Sequence, residues 1–222
     1  KEVFGGEIEL DPCSNQFSIV EAKTEYSLPQ SDGLVKSWDF ATIYVNPPYG
    51  KDKERNTEIG DWLFRCAQAY EVHESEVIAL LPTAANTNNW KHHIWGKATS
   101  ICFLYDTRLK FLENGEDTGK GSPIQNCVVY WGKKFAQNFF DVFSRHGAVV
   151  DITPLQSLEE IGGVKQLTLN ELTLIKEERR LKKLKKEDLI LKAKEVGVDA
   201  SGSKNNLIAA ILEKQHITQE SR

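Results

Sequence analysis

Ala41-Thr42-Ile43-Tyr44-Val45-Asn46-Pro47-Pro48-Tyr49-Gly50 is the stretch on which the fold turns. Its first five residues carry no charge and are rich in β-branched and aromatic side chains, which predicts a buried strand. The Asn-Pro-Pro that follows extends neither a strand nor a helix. Asn46 therefore falls at the carboxyl end of a central strand, where open α/β sheets place their ligands, on a loop stiffened by Pro47 and Pro48. Tyr49 adds a flat aromatic face. An amide acceptor, a proline carbonyl and a ring for stacking together suit a planar base with an exocyclic amine. The same residues also describe a plain strand-ending turn.

Upstream, Glu7-Ile8-Glu9-Leu10 alternates and runs into Asp11-Pro12, which predicts a short strand delivering a carboxylate at its end. Asp11 there either accepts from sugar hydroxyls and pairs with a cationic ligand, or fixes its own turn. Residues 18–38 read as irregular, with Pro29, Ser31, Asp32 and Gly33 as turn formers. Downstream, Lys51–Thr57 is charged and expected to be mobile. Ile59, Trp62, Leu63, Cys66, Ala69 and Tyr70 then form a helical stripe that reads as core. Val77–Leu81 is a second buried strand, stopped by Pro82. The polar loop Thr83–Asn89 at the carboxyl end of that strand reads as a wall for a substrate pocket, and a helix with Trp90, Ile94 and Trp95 follows, with Trp90 a candidate substrate or DNA contact.

His92 and His93 are neighbours on that helix, so their rings diverge and no further ligand has metal-binding spacing. No metal is expected. Strands are predicted over Ser100–Tyr105 and Gln125–Trp131, with a long loop between them. In that loop Arg108 and Lys110 suit phosphates and Phe111 suits a base, or the segment is an amphipathic extension of the sheet edge. A helix over Phe135–Phe143, with Phe139, Phe140 and Phe143 as core, precedes a strand over Ala148–Ile152. The alternation of strands and helices suits an α/β fold, a parallel sheet with an antiparallel edge.

The bulk numbers limit the partners. The 222 residues are 40% hydrophobic, ample for a packed core, and the formal charge is −4, so nucleic-acid affinity must come from local clusters. One such cluster spans Lys176–Lys194, with nine basic residues against four acidic ones, leaving the rest of the chain at −9. Cys13, Cys66, Cys102 and Cys127 have no paired spacing, which argues against zinc and for reduced thiols in the cytoplasm. No membrane span or signal peptide is legible. The chain opens in mid-pattern at Lys1, which leads us to expect further residues upstream.

Asn-Pro-Pro-Tyr after a hydrophobic strand resembles the catalytic motif of S-adenosylmethionine-dependent amino-methyltransferases. Phe4 to Ser14, then Ser31-Asp32-Gly33-Leu34 with Trp38, then Asn46 to Tyr49, then Gly121-Ser122-Pro123 before an apolar strand, are together similar to the phage-type DNA N6-adenine methyltransferase (Dam) family over roughly residues 1–150. The resemblance implies a Rossmann-like methyltransferase sheet, S-adenosylmethionine as cofactor and double-stranded DNA as partner. It implies that Asn46, Pro47, Pro48 and Tyr49 hold the target base, and that Asp11, Pro12, Cys13, Asp32 and Leu34 meet the cofactor. Asp11-Pro12-Cys13-Ser14-Asn15 lacks the glycine-rich turn usual at the first motif of such enzymes. Its strand therefore corresponds to either the first or the second of the common fold.

Near the carboxyl end, Leu184–Val198 and Ser201–Leu212 read as helix, glycine stop, extended link and second helix, with Ser203 as cap. This is similar to the SAP module, a small helix-extended-helix unit associated with DNA. Gly202-Ser203-Lys204 matches its glycine-x-lysine. Lys185, Lys186 and Lys204 are the candidate phosphate contacts, or the lysines are a solvated face of a helical hairpin. The expected organisation is a catalytic domain over 1–155, a linker over 156–168 and a basic module over 169–216. The rivals are methylation of RNA or of a protein amide, and a DNA-binding protein whose methyltransferase-like domain is silent. Oligomeric state, recognised bases, and a role in restriction or regulation are not legible.

Overall fold

The computed structural model describes residues 1–105, 109–113, 116–157, 177–178 and 180–220, and the chain divides into two compact units, Lys1–Gln166 and Leu167–Arg222. The first unit is built on a seven-stranded mixed sheet. Its strands are β1 (Leu10–Asp11), β2 (Thr24–Glu25), β3 (Thr42–Val45), β4 (Glu76–Pro82), β5 (Ser100–Leu104), β8 (Asn126–Trp131) and β9 (Gly147–Asp151), in the order β2-β1-β3-β4-β8-β5-β9. A separate hairpin, β6 (Lys110–Glu113) and β7 (Glu116–Gly121), lies between β5 and β8 in the sequence.

From β1 the chain steps outward to β2, then returns to the other side of β1 as β3 and runs on to β4, all parallel. The β1–β3 junction is thus a topological switch point, and the carboxyl ends of both strands open there into one crevice.

The antiparallel part of the sheet is larger than the sequence suggests. β8 lies inside the sheet, antiparallel to both β4 and β5, and β9 forms the edge beside β5. All six residues of β8 are buried, which suits a strand covered on both faces, whereas β9 has only one buried residue.

Two helical layers cover the sheet. On one face α1 (Ile59–His73) and α2 (Asn88–His93) bury Trp62, Leu63, Cys66, Trp90 and the adjoining Ile94 against Leu10, Ile43, Val45, Val77, Ala79 and Leu81. The expected stripe of α1 is the one that packs. A capping box between Glu58 and Asp61 opens α1, and Glu74 in the left-handed conformation closes it. On the other face α3 (Ala136–Phe143) and the first residues pack Phe139, Val3 and Phe4 against Ile78, Cys102, Val128 and Tyr130. Phe140, expected in this core, is 50% exposed, because consecutive helical residues point about 100° apart and Phe139 takes the inward position.

The second unit has its own core of Leu181, Leu189, Ala193, Leu207, Ile208 and Ile211. Helix α4 (Lys186–Glu195) runs out at Gly197, whose φ of 72° provides the expected stop, and α5 (Lys204–Glu220) starts at Ser203, whose Oγ accepts the Asn206 N–H at 3.2 Å. Residues 158–176, most of the expected linker and the first part of the expected basic module, lie outside the described residues. No helix among the described residues is long and apolar enough to cross a membrane.

Candidate active site

Asp11 ends β1 and Asn46 follows β3, so the parallel pairing of Leu10 with Ile43 brings both side chains to one side of the switch-point crevice. The crevice holds a cavity of about 550 Å³ lined by Asp11, Cys13, Tyr44, Asn46, Tyr49 and Asn126 among others. That is within the size range of small-molecule sites. The loop Ser14–Val20 forms one wall, and Leu109, Lys110 and Leu112 of the hairpin form another.

Asp11 is 4% exposed and spends Oδ1 on the Cys13 backbone N–H at 3.1 Å. Burial pushes its carboxyl up to about 6, and nearby Glu25 adds to the shift, while no lysine or arginine among the described residues pairs with it. A buried carboxylate with unspent lone pairs, facing a cavity, is arranged to receive a cation or donor from a ligand.

Cys13 joins the two loops. The Asn46 backbone N–H donates toward its sulfur, and burial pushes its thiol well above the ordinary value, so it serves as a neutral apolar wall. Tyr44, raised by burial and by the neighbouring Asp11, lies beneath. Tyr49 has its hydroxyl donating toward the Leu80 carbonyl at 3.5 Å and accepting from Asn126 Nδ2 at 3.0 Å. Burial pushes that phenol up to about 12, so it remains a neutral ring with a fixed edge.

Asp32 and Leu34 stand one step back. Neither lines the cavity: Asp32 Oδ1 accepts the Leu34 N–H at 2.9 Å and pairs with Arg55 Nη1 at 3.1 Å, and Leu34 packs on the core. Gly33 nevertheless packs directly on Pro12, so the two loops expected to meet the cofactor do touch. The segment after Tyr49, expected to be mobile, is closed on itself by an Asp52–Thr57 bridge and by Arg55 Nε on Asp52 Oδ2 at 2.8 Å.

The other candidates separate. Trp90, a candidate substrate or DNA contact, is only 2% exposed and packs in the core against Trp95, since a ring of that size is buried more favourably than it is displayed. Lys110 lines the cavity and pairs with Asp117 at 2.7 Å. Phe111 belongs to β6, but its side chain lies outside the described residues, as does Arg108 altogether. In the second unit Lys185 stands at the residue before α4 without a side-chain capping bond, Lys186 opens the helix, and Lys204 Nζ donates to the Lys182 carbonyl at 2.9 Å.

Sequence reasoning missed Tyr44, Leu80 and Asn126 as cavity residues. Tyr44 was findable, since it precedes Asn46 by one strand period and so shares its face. Asn126 is the single polar residue opening an apolar strand, but only the insertion of β8 beside β4 places it here.

A doubly covered mixed sheet with its ligand crevice between an Asp-Pro turn and an Asn-Pro-Pro-Tyr loop defines an α/β protein of the methyltransferase-like class. The family model of the DNA N-6-adenine-methyltransferases (Dam) matches residues 2–151, more than half of the chain, and the chain belongs to that family. Membership points to methylation of adenine in DNA. No curated protein and no solved structure matches the chain.

Proposed function

We propose that this chain transfers a methyl group from S-adenosylmethionine to N6 of adenine in double-stranded DNA, with the target nucleotide flipped into the crevice. The observation that carries the reading is that Asp11 and the Asn46–Tyr49 loop share one cavity at the β1–β3 switch point. When bound, S-adenosylmethionine supplies an electrophilic methyl group on a sulfonium, and it is a cation with an ammonium and ribose hydroxyls. Asp11 fits it, since a buried carboxylate that no lysine or arginine among the described residues pairs with gains most from such a partner. Pro12 and Cys13 complete that wall, and Asp32 and Leu34 support it through the Gly33–Pro12 packing.

On the acceptor side, the Asn46 side-chain oxygen and the Pro47 carbonyl accept hydrogen bonds from the adenine amine. This turns its lone pair out of ring conjugation and aligns it for in-line attack. Pro48 keeps the loop from yielding, and Tyr49 stacks on the flipped base. Transfer would form the N6–carbon bond as the carbon–sulfur bond breaks, with neutral S-adenosylhomocysteine as the leaving group. The strongly acidic methylated ammonium would then release its proton to water by way of the Asn46 and Pro47 acceptors, so no side chain has to act as a strong base before attack. Lys110 and the hairpin flank the entry. In the second unit the SAP-like helices hold DNA by phosphate contacts from Lys185, Lys186 and Lys204, adding affinity without reading sequence.

The experiment is transfer of labelled methyl to unmethylated duplex DNA by the full chain, followed by digestion and identification of the modified base. Label on N6-methyladenine, lost in Asn46→Ala with cofactor binding intact, is the expected result. Cofactor binding without label on DNA would redirect the reading to RNA or a protein amide, and absence of both to a silent DNA-binding protein.

A further inference from the structure

The Tyr49 hydroxyl reaches the ends of two strands. It lies 3.5 Å from the Leu80 carbonyl of β4 and 3.0 Å from Asn126 Nδ2 of β8.

Asn126 is well suited to hold it. The residue is 7% exposed and opposes Pro82 at the carboxyl end of β4. Its Nδ2 also points toward the Leu81 carbonyl at 3.5 Å. A carbonyl only accepts, so the amide is oriented with its nitrogen toward Leu81 and Tyr49, and a flipped amide would set two oxygens face to face. A rigid strand thereby carries a donor aimed at the ring's one polar atom.

We infer that Asn126 is a positioning residue for the methyl acceptor, fixing the plane of Tyr49 so that a base stacked on it meets the Asn46 and Pro47 acceptors in register. This rests on the function proposed above and extends it to a residue outside the Asn-Pro-Pro-Tyr motif. A ring tethered at its hydroxyl is ordered before the base arrives, so the alignment costs no further side-chain entropy at the moment of transfer.

The test is a double-mutant cycle in the full-length chain: wild type, Asn126→Ala, Tyr49→Phe and the pair. Methyl transfer to duplex DNA is resolved into kcat and KM, and S-adenosylmethionine affinity is measured by calorimetry. Loss of one neutral hydrogen bond should lower kcat by between about twofold and tenfold in each single variant. The pair should be no worse than either alone, with KM for DNA and cofactor affinity within about twofold of wild type. Tyr49→Phe removes the same bond without touching β8, so it gives the answer even if Asn126→Ala does not fold. Multiplying losses in the pair, or a full-rate Tyr49→Phe, would overturn the assignment while leaving the proposed function standing. A wild-type chain that methylates no adenine would overturn both.

Discussion

Gly33 lies so close to Pro12 that a Cβ at position 33 would sit 1.7 Å from the Pro12 carbonyl oxygen and 2.7 Å from its carbon. Both partners are backbone, so neither can rotate away. The turn after Asp32 and the turn after Asp11 therefore meet only because position 33 has no side chain, and glycine here serves close approach.

Gly33→Ala should separate the two loops. Forcing a methyl group into packed backbone costs about 1–3 kcal/mol, and the shift falls on the segment carrying Asp11. Thermal unfolding should show the loss in stability, and calorimetry a larger fractional loss in S-adenosylmethionine affinity than Leu34→Ala gives. Equal losses in the two variants would mean that the packing of Gly33 on Pro12 only supports the core.

Asp11→Asn should stabilise the ligand-free chain while abolishing cofactor binding. The native carboxyl is raised to about 6 from an ordinary 3.8, so the native state binds more protons than the unfolded chain between those values. Stability from this group is accordingly full at low pH and lost as pH rises through about 6. The gain in melting temperature on Asp11→Asn should be largest near pH 8 and shrink as pH falls toward 4. In the wild type, cofactor affinity should weaken as pH falls through that same window, because the cation then meets a protonated acid.

Arg55→Ala should loosen the segment after Tyr49 from the Asp32 turn. Arg55 spans Asp52 at 2.8 Å and Asp32 at 3.1 Å with all three side chains partly exposed. Such pairs are worth about 0–1 kcal/mol, so a fall of up to about fivefold in transfer is expected, along with a weaker dependence of the rate on salt. Arg55→Lys should recover little, since a point charge does not bridge two carboxylates as the guanidinium fork does.

Replacing Lys185, Lys186 and Lys204 together by alanine should weaken binding of the full chain to duplex DNA to a similar degree for every sequence. It should also flatten the salt dependence by about one unit of slope for each phosphate that is no longer neutralised. Binding isotherms at several salt concentrations measure this. An unchanged slope would assign the lysines to a solvated face, and Lys204 to capping the turn at Lys182 alone.

Much of the candidate site was legible because its residues are consecutive. Asn46 to Tyr49 follow a strand whose lack of charge and β-branching mark it as central, and Asp11-Pro12 ends another. Covalent neighbourhood thus carried the information. What escaped were relationships between distant segments. Nothing in Asn126 signals that β8 enters the sheet beside β4, and nothing in Trp90 distinguishes a ring on display from one packed against Trp95. Phe140 was misread for a simpler reason: a run of aromatic residues hides which of them faces inward. The Arg55 clamp was invisible for the opposite reason, because a charged, glycine-flanked segment looks the same whether its charges meet water or each other.

The late arrival of β8 also sets a schedule for the molecule. Tyr49 and Asn126 are 77 residues apart in sequence, and the strand between β4 and β5 is filled only after β5 has been made. A chain emerging in order from its amino end cannot close the floor of its crevice until Trp131 is available, and pairings of such separation form slowly. Half-synthesised or carboxyl-truncated copies would display the Asn-Pro-Pro-Tyr loop without the strand that anchors its ring, so an incomplete copy carries the motif but not the fixed ring.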